Sequence, residues 1–262
     1  EHVSRKYGVL ENTRFGQDLK RATFDEGTGT WTLDVETPAG PEQLKANVVI
    51  TACGTFANAK LPQFEGMGDF GGQIVHPSRW PQDLDLSGKR IAVIGNGSTG
   101  VQMLGAVAKE AAQVYVIQRT PQWISPREKY GMPMEEEVTW LVNNLPGYWN
   151  WWRYMATAAL FDIHGLQVPD PKWQAKGGKV NPANDQLREM LTGYIKHETG
   201  GDQDLIDRLI PDYAPFSRRP VVDNGWYRAL TRDNVELVCG EVARLTPDGI
   251  EMADGHRIDV DL

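Results

Sequence analysis

Cysteine is scarce in this 262-residue sequence: Cys53 and Cys239 are the only two, with no C-x-x-C spacing and no histidine cluster beside either. That excludes a disulfide framework and offers no zinc-ligand pattern, so both are expected to be buried free thiols and no metal site is expected. Positive charge is in deficit too: 27 Lys and Arg stand against 35 Asp and Glu, a net charge of -8. A general nucleic-acid footprint is thereby excluded, and any basic residues that matter should be local phosphate binders. No apolar run approaches the ~18 residues needed to span a bilayer. The opening Glu1-His2-Val3-Ser4-Arg5-Lys6 is no signal peptide, and the expected location is cytoplasmic. An initiator Met is also missing. The first residues read as the end of a helix closed by Tyr7-Gly8, which suggests an internal fragment of a longer protein.

What is present is ample material for a core, with 40% hydrophobic residues, and one stretch that organises the rest. Arg90 to Ile94 is a short β-branched apolar run of the kind that makes a buried parallel strand, and it leads directly into Gly95-Asn96-Gly97-Ser98-Thr99-Gly100. This is a G-x-G-x-x-G pattern in the position where it carries chemistry. Gly95 suits a tight turn out of the strand, Gly97 leaves no Cβ in the way of a pyrophosphate, and Gly100 allows the following helix to approach the sheet. A helix from about Ser98 to Glu110 would direct its amide end at the phosphates, with Gln102 in its second turn completing the set of nucleotide contacts. Val114 to Ile117 reads as the next strand. Its end carries Gln118-Arg119-Thr120 where an acidic residue would hold a ribose 2′-hydroxyl, so Arg119 argues for NADPH over NADH.

Upstream, Leu19–Phe24, Thr30–Val35 and Gln43–Thr51 are separated by turn-rich segments and predict an antiparallel meander; the last becomes continuous and apolar through Ala52 before Cys53-Gly54. The segment Leu61-Pro62-Gln63-Phe64-Glu65-Gly66 is the best candidate for a domain boundary. Beyond Pro126 the chain is helical and aromatic-rich, over Glu135–Asn143, Trp149–Tyr154, Asn184–His197 and Asp202–Leu209. Helix packing is the favoured expectation for its tryptophans, with a substrate-cavity lining as the alternative. Val235–Val238 reads as a further parallel strand, and Val242–Leu245 with Ile250–Met252 as a hairpin through Pro247-Asp248-Gly249.

Between the boundary and the glycine run lies Phe70-Gly71-Gly72-Gln73-Ile74-Val75-His76-Pro77-Ser78-Arg79-Trp80-Pro81. Phe70, Gly72, His76, Trp80 and Pro81 fit F-x-G-x-x-x-H-x-x-x-W-P, and the chain thereby resembles the Baeyer-Villiger monooxygenases, a family of flavin-containing enzymes. The glycine run stands where that family has its second Rossmann motif, and Arg119-Thr120-Pro121 matches its strand-end R-T-P. The wording of Met134–Trp140 and of Tyr213-Ala214-Pro215-Phe216 looks most like the 4-hydroxyacetophenone monooxygenase branch.

The resemblance implies an α/β chain: residues 1–62 a remnant of an FAD-binding domain, 63–88 a linker bearing the fingerprint, and 89–262 a Rossmann-like NADPH domain with a helical insertion over about 127–214. It implies NADPH and FAD as cofactors, with the FAD site largely outside this chain. A small-molecule ketone and O2 would be the reactants and an ester or lactone the product. Gly95 to Gly100, Gln102, Arg119, Thr120 and Arg218 would bind NADPH, with Arg218 standing where relatives have lysine. Arg219 aligns with the catalytic arginine beside the flavin, and His76 and Trp80 would serve a linker that couples domain movement to catalysis. An N- or S-oxidising flavin monooxygenase, or a nucleotide-binding remnant without catalysis, are the alternatives.

Overall fold

The computed structural model describes residues 2–54, 56, 59–127, 131–161 and 163–262. The chain forms two compact units, Glu1–Asn58 and Ala59–Leu262.

In the first unit a short helix, α1 (His2–Lys6), ends as its sequence predicts: Gly8 turns left-handed at φ 64° and the Val9 N–H reaches back to the Ser4 carbonyl at 2.8 Å. Glu1 lies outside the described residues. Three strands follow, β1 (Asp18–Asp25), β2 (Thr30–Thr37) and β3 (Gly40–Ala46), in an antiparallel meander. The first turn forms because the Asp25 carboxylate accepts the Gly27 N–H at 2.8 Å while Gly29 supplies φ 64°. The third strand is shorter than predicted. Its register with β2 ends at Trp31↔Ala46, so Asn47 and its successors have no strand to pair with, and Val48 and Ile50 stand 73% and 85% exposed. An apolar run of that kind becomes a buried strand only between neighbours. Cys53 follows in irregular chain and is exposed, contrary to the expected burial.

The second unit holds the site. In order it comprises β4 (Arg90–Ile94), α2 (Ser98–Glu110), β5 (Gln113–Gln118), β6 (Ile124–Ser125), α3 (Glu136–Asn144), α4 (Tyr148–Phe161), α5 (His164–Gln167), α6 (Pro171–Gln174), α7 (Pro182–Glu198), α8 (Gln203–Leu209), β7 (Val221–Val222), α9 (Trp226–Leu230), β8 (Val235–Cys239), β9 (Val242–Thr246), β10 (Gly249–Met252) and β11 (Arg257–Asp259). The strands β4, β5 and β8 make a parallel sheet in the order β4-β5-β8. Along the other edge of β4 run the last residues of the chain: the Asp261 N–H bonds the Arg90 carbonyl, and the Ala92 N–H bonds the Leu262 carbonyl, both at 2.8 Å. Helix α2 covers this sheet because Val101, Leu104, Val107 and Ala108 recur at helical spacing, and all four are buried with Ile91, Val93, Val114 and Val116. Each valine, leucine or isoleucine among them contributes roughly 1.5–3 kcal/mol on burial.

A second, antiparallel sheet of order β11-β10-β9 realises the predicted hairpin and adds a strand to it. Its core of Leu245, Ile250, Met252, Ile258 and Val260 meets Ile117 of β5, and Phe64, Met67 and Phe70 pack against it.

Four tryptophans of the helical insertion depart from the packing expected of them, whereas Trp173 is half-buried and bonds Asp185 at 2.8 Å. Trp140, Trp149, Trp151 and Trp152 are between 43% and 61% exposed. In α4 the pairs Trp149/Trp152 and Trp151/Tyr154 stack at ring separations of 5.4 and 5.9 Å, but they point to different sides of the helix, so no single stripe exists for a neighbour to cover. By contrast α7 and α8 send Leu191, Ile195, Leu205, Ile206 and Leu209 into the core. Of the predicted insertion, residues 128–130 and 162 lie outside the described residues. Among the described residues no helix is long and apolar enough to cross a membrane.

Candidate functional site

The turn between β4 and α2 is built by its glycines. Gly95 sits at φ 102°, where a side chain would be strained, and its N–H bonds the Ile117 carbonyl at 2.9 Å. A Cβ on Gly100 would overlap the Gly95 carbonyl oxygen, so only glycine allows the helix to start so close to the turn. Around Gly97 there is open space. Gly97 is also the extended N-cap of α2, at φ -73° and ψ -178°, and no side chain caps the helix. Ser98 and Thr99 are exposed beside it. The first-turn amides, the positive end of the helix dipole and the gap above Gly97 together form a cradle that fits a pyrophosphate. Gln102 is exposed on the second turn of α2, and its carbonyl accepts from the Asn224 amide at 3.0 Å.

Asn96 behaves differently from its neighbours. It is buried, and its amide donates inward to Gln118 Oε1 at 2.8 Å and to the Thr120 carbonyl at 2.9 Å. Gln118, only 2% exposed, is held in turn by its own amide, which donates to the Arg208 carbonyl at 2.9 Å. The Arg208 guanidinium bonds the Leu237 carbonyl of β8 at 2.8 Å. Gln118 ends β5, and Arg119 after it turns outward, 77% exposed, with Glu241 at 3.8 Å. Cys239 ends β8 next to Gln118, its sulfur 3.8 Å from the Gln118 amide, and is exposed rather than buried. The reason is its place: Cys239 ends β8, an edge strand of this sheet, whereas Gln118 opposite it ends the central strand.

The second basic segment, Arg218-Arg219, precedes β7, which pairs in parallel with β6 through Ile124↔Val221 and Ser125↔Val222. Because the pair is parallel, the segment entering β6 from Arg119 and the segment entering β7 from Arg218 arrive at the same end of this small sheet. Tyr213, Gln122, Trp123, Phe216, Arg218 and Arg219 share a shallow depression there. The Arg218 guanidinium stands over the Tyr213 ring at 4.4 Å. Phe216, between them, is the one non-glycine residue with positive φ (64°) among the described residues, and its carbonyl accepts from Gln167 at 2.9 Å.

The fingerprint residues form a separate feature of the same unit. The Phe70 ring lies so near Gly72 that a Cβ there would fall 2.5 Å from it and 2.5 Å from the Asp261 carbonyl oxygen. The Gly71 and Gln73 N–H groups bond the Pro247 and Asp261 carbonyls at 2.9 and 3.1 Å. Phe70 and Gly72 thus fasten the segment to the β9–β11 sheet and to the strand-like end of the chain. His76 is half-buried and caps a 3₁₀ turn over Pro77–Arg79, its Nδ1 accepting the Ser78 N–H at 3.2 Å. Trp80 is 40% exposed, and Pro81 is half-buried.

Sequence reasoning passed over three residues that hold these parts together. Gln118 is the first. Asp223, 3% exposed, accepts the Gly225 and Trp226 N–H groups at the start of α9 and the Tyr194 hydroxyl at 2.7 Å. Burial, then the bond to Asp223, pushes the Tyr194 hydroxyl well above the usual tyrosine range. An Asp two residues ahead of a Gly-aromatic helix start is the signal that would have found it. Tyr213 is the third; burial raises its phenol above the ordinary value, partly opposed by Arg218, so it remains a neutral donor. Among the described residues no group of three or more His, Cys, Asp and Glu side chains is placed to hold a metal ion.

Comparison with known proteins adds a lineage to this geometry. A family model described as flavin-binding monooxygenase-like matches residues 9–157. An uncharacterised monooxygenase, y4iD, of Sinorhizobium fredii is 36% identical over 263 residues, covering 99% of this chain and 40% of its own length. The acetone monooxygenase (methyl acetate-forming) of Gordonia is 31% identical, with 99% of this chain and 53% of the relative covered. Among solved structures, an oxidised steroid monooxygenase bound to NADP superposes with a TM-score of 0.72 at 27% identity, over 99% of this chain and 54% of that one. The chain therefore spans about half, or less, of the length of these relatives.

Proposed function

The chain belongs to the flavin-binding monooxygenase-like family, and from that premise we propose that it carries the NADPH-binding part of a Baeyer-Villiger monooxygenase. The whole protein would use NADPH, FAD and O2 to insert an oxygen atom beside a ketone carbonyl, giving an ester or lactone. The observation that carries this reading is the glycine cradle between β4 and α2, open above Gly97, with Arg119 exposed at the end of the next strand. The relative from Gordonia, whose name records conversion of acetone to methyl acetate, supports the reaction class. The solved structure bound to NADP supports the nucleotide.

When bound, the two cofactors supply the reducing hydride and the activation of O2. The work of this chain is to hold and orient. The amides of Gly97 to Gly100 would take the pyrophosphate, and the Arg119 guanidinium the ribose 2′-phosphate, by the paired N–H geometry that suits phosphate. Thr120 continues that strand end, and Gln102 stands exposed on the second turn of α2. Arg218, although not the lysine of its relatives, offers a second guanidinium for phosphate. Arg219 would take the catalytic role: its fixed positive charge would stabilise negative charge developing during oxygen transfer. Phe70, Gly72, His76, Trp80 and Pro81 would transmit domain movement through the linker. Only one glycine cradle is formed among the described residues, so no residue here is assigned to the FAD pyrophosphate. The narrower likeness of Met134–Trp140 to 4-hydroxyacetophenone monooxygenases rests on wording alone, and a cytoplasmic location accompanies the reading.

Calorimetric titration of the purified chain with NADPH, together with flavin absorbance after desalting, tests it. Binding of NADPH without retained FAD is expected; failure to bind NADPH would remove the reading. Product analysis with the parent protein and a ketone then separates ester formation from N- or S-oxidation.

A further inference from the structure

Two basic segments far apart in sequence, Arg119-Thr120 and Arg218-Arg219, are joined at one residue. The Tyr213 hydroxyl donates to the Pro121 carbonyl at 2.9 Å, with Gln122 Oε1 at 3.0 Å, directly behind Arg119-Thr120. The Tyr213 carbonyl accepts the Trp123 indole N–H at 2.8 Å, so main chain and side chain both grip the same segment. Five residues on, Arg218 lies across the face of the same ring, 4.4 Å from its centre. From the other side, the Asn96 amide at the glycine turn holds the Thr120 carbonyl at 2.9 Å. A continuous chain of contacts thus runs from the glycine turn through Thr120 and Pro121 to Tyr213 and on to Arg218.

We propose that Tyr213 is a positioning residue for dinucleotide binding: its ring presets Arg218, and its backbone carbonyl, bonded to the Trp123 indole, seats that ring against the segment that follows Arg119-Thr120. This rests on the nucleotide reading above and goes beyond it by naming a residue that touches neither phosphate nor flavin. The physical reason is entropic. An arginine free to sample its rotamers must be ordered when phosphate arrives, whereas one already stacked on a ring is not. A ring face also leaves the edge N–H groups of a guanidinium available for phosphate. Phe216, at φ 64°, turns the chain between Tyr213 and Arg218, and Arg218 lies back on the ring five positions before it.

The two halves of the residue are separable. In Tyr213→Phe the ring stays under Arg218 and the hydroxyl bonds are lost; in Tyr213→Leu both are lost. Affinities of the chain for NADP+ and NAD+ are measured by calorimetry for each variant, beside Arg119→Ala and Arg218→Ala, with melting temperatures to register any general loosening. Tyr213→Leu is expected to weaken NADP+ by about two- to fivefold, the scale of a lost cation–π contact at an exposed arginine, while NAD+ falls much less. Tyr213→Phe should recover most of that loss. Adding Tyr213→Leu to Arg218→Ala should cost little more, because the stacked partner is already gone. Equal losses for NADP+ and NAD+, or full additivity with Arg218→Ala, overturn the positioning role. If Arg119→Ala also leaves NADP+ unchanged, the nucleotide reading falls with it; if Arg119→Ala weakens NADP+ and Tyr213→Leu does not, only the role of Tyr213 is lost.

Discussion

Asn96 and Gln118, twenty-two positions apart, are joined by a buried hydrogen bond of 2.8 Å that ties the glycine turn after β4 to the last residue of β5. It places the ends of these two strands in one frame, for Asn96 also holds the Thr120 carbonyl and Gln118 also donates to Arg208 of α8. The polar groups are nearly sealed from water, at 7% and 2% exposure, so each depends on the other for its partner.

Gln118→Leu is accordingly expected to leave part of the Asn96 amide and the Arg208 carbonyl unpaired, destabilising the fold by about 1–3 kcal/mol. Urea unfolding measures this. A midpoint unchanged from the wild type would mean that water replaces the bond and that the frame is not buried as described.

Gly97→Ala and Gly100→Ala should separate folding from binding. The Gly100 Cβ would overlap the Gly95 carbonyl oxygen, and only backbone movement relieves it, so Gly100→Ala should lower the melting temperature and NADPH binding together. At Gly97 a Cβ meets nothing and φ is ordinary, so the variant should lose only the difference between glycine and alanine at a helix N-cap, about 1 kcal/mol, while binding NADPH poorly. Tight NADPH binding by Gly97→Ala would show that the open space above the turn is not where the pyrophosphate lies.

In the parent protein, Arg219→Ala should abolish ester formation while NADPH oxidation continues, since the arginine is assigned to oxygen transfer and not to holding the nucleotide. Gas chromatography of products against the rate of NADPH consumption distinguishes the two. Retained ester formation would take Arg219 out of the mechanism.

The Asp261 carboxyl is held down to about 2, chiefly by its side-chain bond to the Arg90 guanidinium and then by the Arg90 N–H. A carboxylate whose value is depressed on folding stabilises the fold above its unfolded value, about 3.9, and the contribution is lost as pH falls from there toward 2. Asp261→Asn should therefore unfold at lower urea than the wild type at pH 6, with the gap closing by pH 2. The carboxylate is exposed and screened, so the gap should shrink in high salt. An equal gap at both pH values would assign the effect to packing of the chain end instead.

What the sequence determined by itself was whatever rests on local spacing. The strand–glycine–helix unit from Arg90 to Glu110, the next strand, the helices of Asn184–His197 and Asp202–Leu209 and the hairpin about Gly249 all form where apolar period and turn residues place them, because these are properties of a dozen residues at a time. Arg119 was singled out by the strand it follows, whereas Arg218 and Arg219 were singled out only by the family resemblance. Tertiary structure alone decided what depends on neighbours. The apolar run after Ala46 stays out of a strand because β2 has ended; both cysteines are exposed because one follows that unpaired run and the other ends an edge strand; and the tryptophans of α4 remain uncovered because they point several ways. The hydrogen-bond partners of Asn96, Gln118 and Tyr213 lie between 22 and 121 positions along the chain. A hydrogen bond across such a separation leaves no period in the sequence, and only the closing of β5 on β4, and of β7 on β6, brings its two ends together.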